Sequence, residues 1–166
     1  MKANWSKISL LFLLIIALIG TLLRAAPFIK LPLLYPHLVH AHSHVAFQGW
    51  IYTILFLLLG KLFLTAEQLK KGRYPLQFKL TIVLIGGILV SFALQGYGLF
   101  SIICSTTFQL MNYWFIYRFV KDLKEQPPTV SLKFIKSGLY LGILSTLVPF
   151  GIAYLAAKDQ NGSEAY

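Results

Sequence analysis

All four histidines of this 166-residue chain fall in one short window, as His37, His40, His42 and His44 of the segment YPHLVHAHSHVAFQGW. Imidazole is the commonest biological metal ligand and titrates near neutral pH. At about 100° per residue, a helix through the window puts His37, His40, His44 and Gln48 within an arc of about 80°. His42 points to nearly the opposite side, above Ala46, Gly49 and Thr53. One face is thus a stripe of imidazoles running to Gln48. The other is a single imidazole over a groove of small residues, where a flat ligand or another helix can come close. Two histidines at i and i+4, such as His40 and His44, can share a metal ion. No carboxylate lies near the window, which disfavours calcium or magnesium and leaves copper, zinc or haem iron. The competing reading is a set of interfacial histidines that only hydrogen-bond their neighbours. Clustering of all four favours function, because ionisable groups in membrane spans are costly to keep.

The elements that must position these residues follow from composition. The chain is 57% apolar with a mean hydropathy of +0.71, and only 12% of its residues are charged. Soluble domains carry about 25%. This composition excludes a soluble enzyme, a disulfide scaffold and a nucleic-acid module. The net charge of +10 then belongs to loops at a membrane surface. Charge-free apolar runs predict an all-α polytopic membrane protein, a single domain over residues 1–166. Five spans are expected, at about 8–26, 38–64, 78–96, 99–118 and 137–157.

Pro36 marks the entry to span two, and Gln95-Gly96-Tyr97-Gly98 supplies the turn between spans three and four. Basic polar loops are expected over Thr65 to Leu76 and Lys121 to Lys136. The first span resembles a signal peptide, but Arg24 spoils the cleavage site, so an uncleaved helix is expected. Twelve of the 15 Lys and Arg residues fall on the amino-terminal side of the membrane, leaving Arg24, Lys30 and Lys158 opposite. The positive-inside rule predicts an amino terminus in the cytoplasm, a carboxyl terminus outside and an outer, periplasmic histidine cluster in the cell inner membrane.

Further polar groups join the histidines on that side. Arg24 ends span one, where it can hold an anionic group in a bidentate fork or reach lipid phosphates. Gln95 and Tyr97 sit at the outer turn and are expected to line the same pocket. Ser101, Ser105, Gln109 and Asn112 form a stripe on span four that should look inward. Gly138, Gly142 and Ser145 on span five mark close helix packing. The lone Cys104 permits no intrachain disulfide. The acidic residues, Glu67, Asp122, Glu125, Asp159 and Glu164, all fall in predicted loops or the tail, and no nucleophile motif accompanies the histidines.

The stretch HAHSHVAFQGW resembles the second-helix motif of the large catalytic subunit of haem-copper oxidases and nitric oxide reductases. The resemblance implies that His42 takes the position of a low-spin haem ligand, that His44 replaces the Asn of a His-x-Asn pattern, and that Gly49-Trp50 match its end. It implies haem b as cofactor, with Arg24 at a propionate and His44, Gln95 and Tyr97 around it. The implied role is electron transfer, redox sensing or assistance to a respiratory complex. No histidine follows His44, so the complete oxidase or reductase site is absent and a second axial ligand must come from elsewhere, for example from a second copy. Two alternatives remain open. One is a copper- or zinc-handling protein using His37, His40, His42 and His44. The other is a cofactor-free subunit packed in a larger respiratory complex.

Overall fold

In a computed structural model, residues 4–31, 33–127 and 129–159 are described; Lys2, Pro32, Pro128 and Glu164 lie outside them. The described residues fold into helices joined by short turns, with no strand among them. Its helices are α1 (Asn4–Ala25), α2 (Tyr35–His44), α3 (Tyr52–Phe63), α4 (Ala66–Lys71), α5 (Tyr74–Gln95), α6 (Leu99–Asp122) and α7 (Val130–Asp159). Five segments are long and apolar enough to cross a bilayer: Trp5–Ala25, Tyr35–Phe63, Tyr74–Gln95, Leu99–Asp122 and Val130–Val148. The protein is a multi-pass helical membrane protein, as its charge-free runs require.

Span two departs from a uniform helix. Between α2 and α3, Val45–Ile51 is a π-helix, in which each N–H reaches back five residues; the Tyr52 N–H bonds the Phe47 carbonyl. The straight α-helical projection therefore holds for the four histidines and stops at His44. Wide turns free carbonyls from their usual partners, and in a membrane neighbouring hydroxyls satisfy them. The buried Thr53 hydroxyl does so, donating to the carbonyls of Gly49 and Trp50.

Contacts divide the chain into two compact units, Met1–Arg118 and Phe119–Tyr166. In the first, α2 packs along α5, and α1 packs against the π segment. The seam contains Phe12 and Ile16 of α1, Ala41 and Val45 of span two, Ile85, Ile88 and Phe92 of α5, and Phe108 of α6. Lipid tails are as apolar as leucine, so close van der Waals fit holds this seam. Leucines such as Leu10, Leu14 and Leu18 remain exposed along α1, where lipid covers them. A second, aromatic cluster fills the opposite end. There Phe56 lies 4.4 Å from Phe115 and 5.5 Å from Phe78, and Trp5 stacks on Phe78 at 4.7 Å.

The second unit holds the end of α6, a short 3-10 turn (Leu123–Glu125) and α7. Gly138 and Gly142 have open space around them, so they are not buried in a helix seam among the described residues. The loops are also more ordered than composition implied. Thr65 and Gln68 form a reciprocal capping box that starts α4 inside the expected basic loop. Lys133 and Lys136 lie within α7, which begins earlier than its apolar run.

Candidate functional site

The four histidines diverge onto two faces of α2, as their spacing required. His42 turns toward α1. It packs on Gly20, where an added Cβ would lie 3.0 Å from the ring Cε1 and press the imidazole outward by a few tenths of an ångström. Its Nδ1 is buried with no hydrogen-bond partner among the described residues. Beside it opens a cleft of about 540 Å³, lined by Gly20, Leu23, Arg24, Ala26, Pro27, Tyr35 and His42. The cleft is cationic and has no nearby counter-charge in sequence, since the first carboxylate in the chain is Glu67. Arg24 is exposed at its rim.

The other three histidines face the end of α5 and the turn after it. His37 lies against Gly96, whose added Cβ would come within 2.7 Å of the ring. His40 meets Tyr97 edge-on at 4.6 Å. His44 stacks on Phe92 at 4.1 Å, has Tyr97 at 6.1 Å, and faces the Gln48 side chain. Ser43 turns its hydroxyl back onto the Val39 carbonyl at 2.7 Å, which keeps it out of the cluster. Used this way, the imidazoles act as aromatic packing groups with one polar edge each. Among the described residues, no three His, Cys, Asp or Glu side chains come together to hold a metal ion.

Of the two turn residues, Tyr97 joins the histidines and Gln95 caps the next helix. With its amide oxygen turned toward α6, Gln95 Oε1 accepts from the N–H groups of Phe100 and Ser101 at 3.0 and 3.1 Å. These are two of the orphan donors every helix start must satisfy. Ser101, fully buried, donates to the Gly96 carbonyl at 2.6 Å and so locks the same turn. Further along the stripe, Ser105 Oγ and Gln109 Nε2 are buried without a protein partner among the described residues. Gln48 Oε1 shares that state. Buried polar atoms of this kind are satisfied by ordered water or a ligand.

Gly20, Tyr35 and Phe92 were not singled out by the sequence. Which span lies against His42 is a tertiary fact, and an isolated glycine in an apolar helix carries no mark of it. Tyr97→Ala removes one aromatic partner from two histidines. An aromatic pair adds about 0.5–1.5 kcal/mol beyond its buried area, so a loss of about 1 kcal/mol is expected in detergent melts. An unchanged melting temperature would show that the His40 and His44 contacts carry no stability.

Compared with known protein families, curated proteins and solved structures, the chain finds no match.

Proposed function

We propose that this chain is a haem-binding membrane protein, with His42 as the iron ligand and Arg24 as the partner of a haem carboxylate. One observation carries the reading: His42, whose buried Nδ1 has no hydrogen-bond partner among the described residues, shares an open cleft with Arg24 on the neighbouring helix. The cleft's volume of about 540 Å³ suits a flat organic ligand. The resemblance of HAHSHVAFQGW to the oxidase and reductase second helix supports the same residue. Bound haem would supply a reversible one-electron centre.

The residues of this chain do the rest. Gly20 leaves room for the imidazole, Arg24 offers a two-pronged donor to a carboxylate, and Pro27 and Tyr35 wall the cleft. His40 and His44 lie on the opposite face and are not ligands in this reading. One chain offers one imidazole on this face, so the reading extends to a pair of chains each contributing His42. The excess of Lys and Arg at the amino-terminal side of the spans supports an outward-facing cleft, and hence electron transfer or redox sensing at the outer surface of the plasma membrane.

The test is a haem titration of the purified protein in mild detergent, read by oxidised and reduced absorption spectra, with metal analysis on the same sample. Stoichiometric haem that disappears in His42→Ala, weakens about tenfold in Arg24→Gln and survives His40→Ala and His44→Ala is the expected result. Haem bound equally well by His42→Ala overturns the ligand assignment. Bound copper or zinc without haem transfers the site to metal handling. Absence of both leaves a cofactor-free subunit.

A further inference from the structure

The connection between α3 and α5 is tied down far more tightly than a linker needs to be. Thr65 and Gln68 cap α4 reciprocally, at 3.2 and 3.0 Å. The Gly72 N–H bonds the Gln68 carbonyl at 2.8 Å, and the Arg73 N–H bonds the Lys70 carbonyl at 3.1 Å. From below, the buried Gln77 amide donates to the Gly72 carbonyl at 2.9 Å. Tyr74, fully buried, presses so close that a Cβ on Gly72 would lie 2.3 Å from its ring.

At the centre stands Arg73, with φ 54° and ψ 30°. It is the one non-glycine residue at positive φ among the described residues. Glycine adopts this backbone freely, whereas a side chain there is strained. Strain of this kind persists only where the surroundings over-determine it, and it concentrates at functional sites.

Arg73 and Lys70 both line a cleft of about 370 Å³ whose remaining walls, Ala66, Leu69, Pro75 and Leu76, are apolar. Neither cation has an ion-pair partner among the described residues, and Glu67 on the same short helix does not line the cleft. The cleft lies between two membrane-crossing segments, Tyr35–Phe63 and Tyr74–Gln95, and therefore at the edge of the bilayer. It is remote from the histidines: α5 starts beside it and runs about 33 Å before Gly96 meets His37.

Two cations above an apolar trough at a bilayer edge complement one kind of molecule. We propose that this cleft binds a single anionic phospholipid, with Arg73 and Lys70 on its phosphate and Leu69 and Leu76 against the first part of an acyl chain. Guanidinium matches phosphate oxygens in a two-pronged fork, and ammonium adds a point charge. The loop fixes the backbone that carries both cations before the lipid arrives, so only their exposed side chains remain to be ordered on binding. A haem at the opposite end of the helices plays no part in it.

The test uses the full chain in nanodiscs of phosphatidylcholine with added phosphatidylglycerol, and native mass spectrometry after release to count retained lipid. One phosphatidylglycerol per chain is expected, in preference to phosphatidylcholine. Lys70→Gln and Arg73→Gly should each weaken retention about fivefold. Arg73→Gly also relaxes the backbone, so its melting temperature should hold or rise, and lost lipid cannot then be blamed on unfolding. Lys133→Gln, a basic change on α7, should retain the lipid. Retention unaffected by both cleft substitutions overturns the site. Equal loss with Lys133→Gln reduces it to general surface charge. Displacement by inorganic phosphate alone replaces the lipid with a soluble phosphate ligand.

Discussion

Gly49→Leu is expected to collapse the histidine-bearing half of the bundle, lowering stability by about 3 kcal/mol. A Cβ at this position would lie 2.9 Å from Val45 Cγ1, 3.2 Å from Phe12 Cγ and 3.3 Å from Ile85 Cγ2. Those neighbours belong to three different elements, the π segment, α1 and α5, and two of them are stiff β-branched side chains. Alanine alone demands that all three give way slightly. Leucine adds three further carbons at a point where the backbones meet. Overpacking of a close-fitted core costs about 1–3 kcal/mol, and this site belongs at the upper end. Gly86 on α5, with nothing within 4 Å of its added Cβ, is the matched control. Gly86→Ala should raise stability by up to about 1 kcal/mol through helix propensity. Unfolding in detergent mixtures measures both, and equal stability of the Gly49→Leu and parent proteins would show that the seam is not close-packed there.

Gly96→Ala should cost about 3 kcal/mol for two separable reasons. The residue sits at φ 59° and ψ −133°, a backbone state essentially restricted to glycine, which costs a side chain about 1–3 kcal/mol. Its new methyl would also press into the His37 ring, at 2.7 Å from Cδ2 and 2.9 Å from Nε2. A double-mutant cycle with His37→Ala separates the two. Removing the imidazole should restore the contact part and leave the backbone part. If His37→Ala restores nothing, the contact is not a cause of the loss. The turn also carries Tyr97, so distortion at Gly96 should weaken the His40 and His44 contacts in parallel.

Much of this arrangement was legible in the residues. Charge-free runs and the turn at Gln95–Gly98 define the spans, because lipid forbids any other way of satisfying the backbone. The division of the histidines was also legible, since helical phase alone separates His42 from His37, His40 and His44. Their partners were less so. Tyr97 could be placed near the cluster from its position at the turn, but the groove under His42 is filled by α1 through Gly20, a pairing no local pattern encodes. Gln95 was expected in the pocket and is found capping α6, because a carboxamide at the end of one helix, four residues before the next begins, can serve either role. The π segment was not legible at all. Its wide turns depend on how closely α1 and α5 approach Gly49, and that approach is a property of three helices together. The capping box at Thr65 was present in the sequence, but the basic residues around it read first as a loop.

The π segment gives span two a built-in phase offset. An ordinary helix is a single screw, in which setting the direction of one side chain sets every other. Had residues 45–51 kept the α-helical pitch, everything from Tyr52 onward would be turned by about 100° and advanced about 1.5 Å relative to the histidines, for each residue of slack taken up. The aromatic end, where Tyr52 meets Phe115 at 6.2 Å, is thereby indexed independently of the histidine end. One continuous span behaves as two rotors on a common shaft, each keyed to its own neighbours.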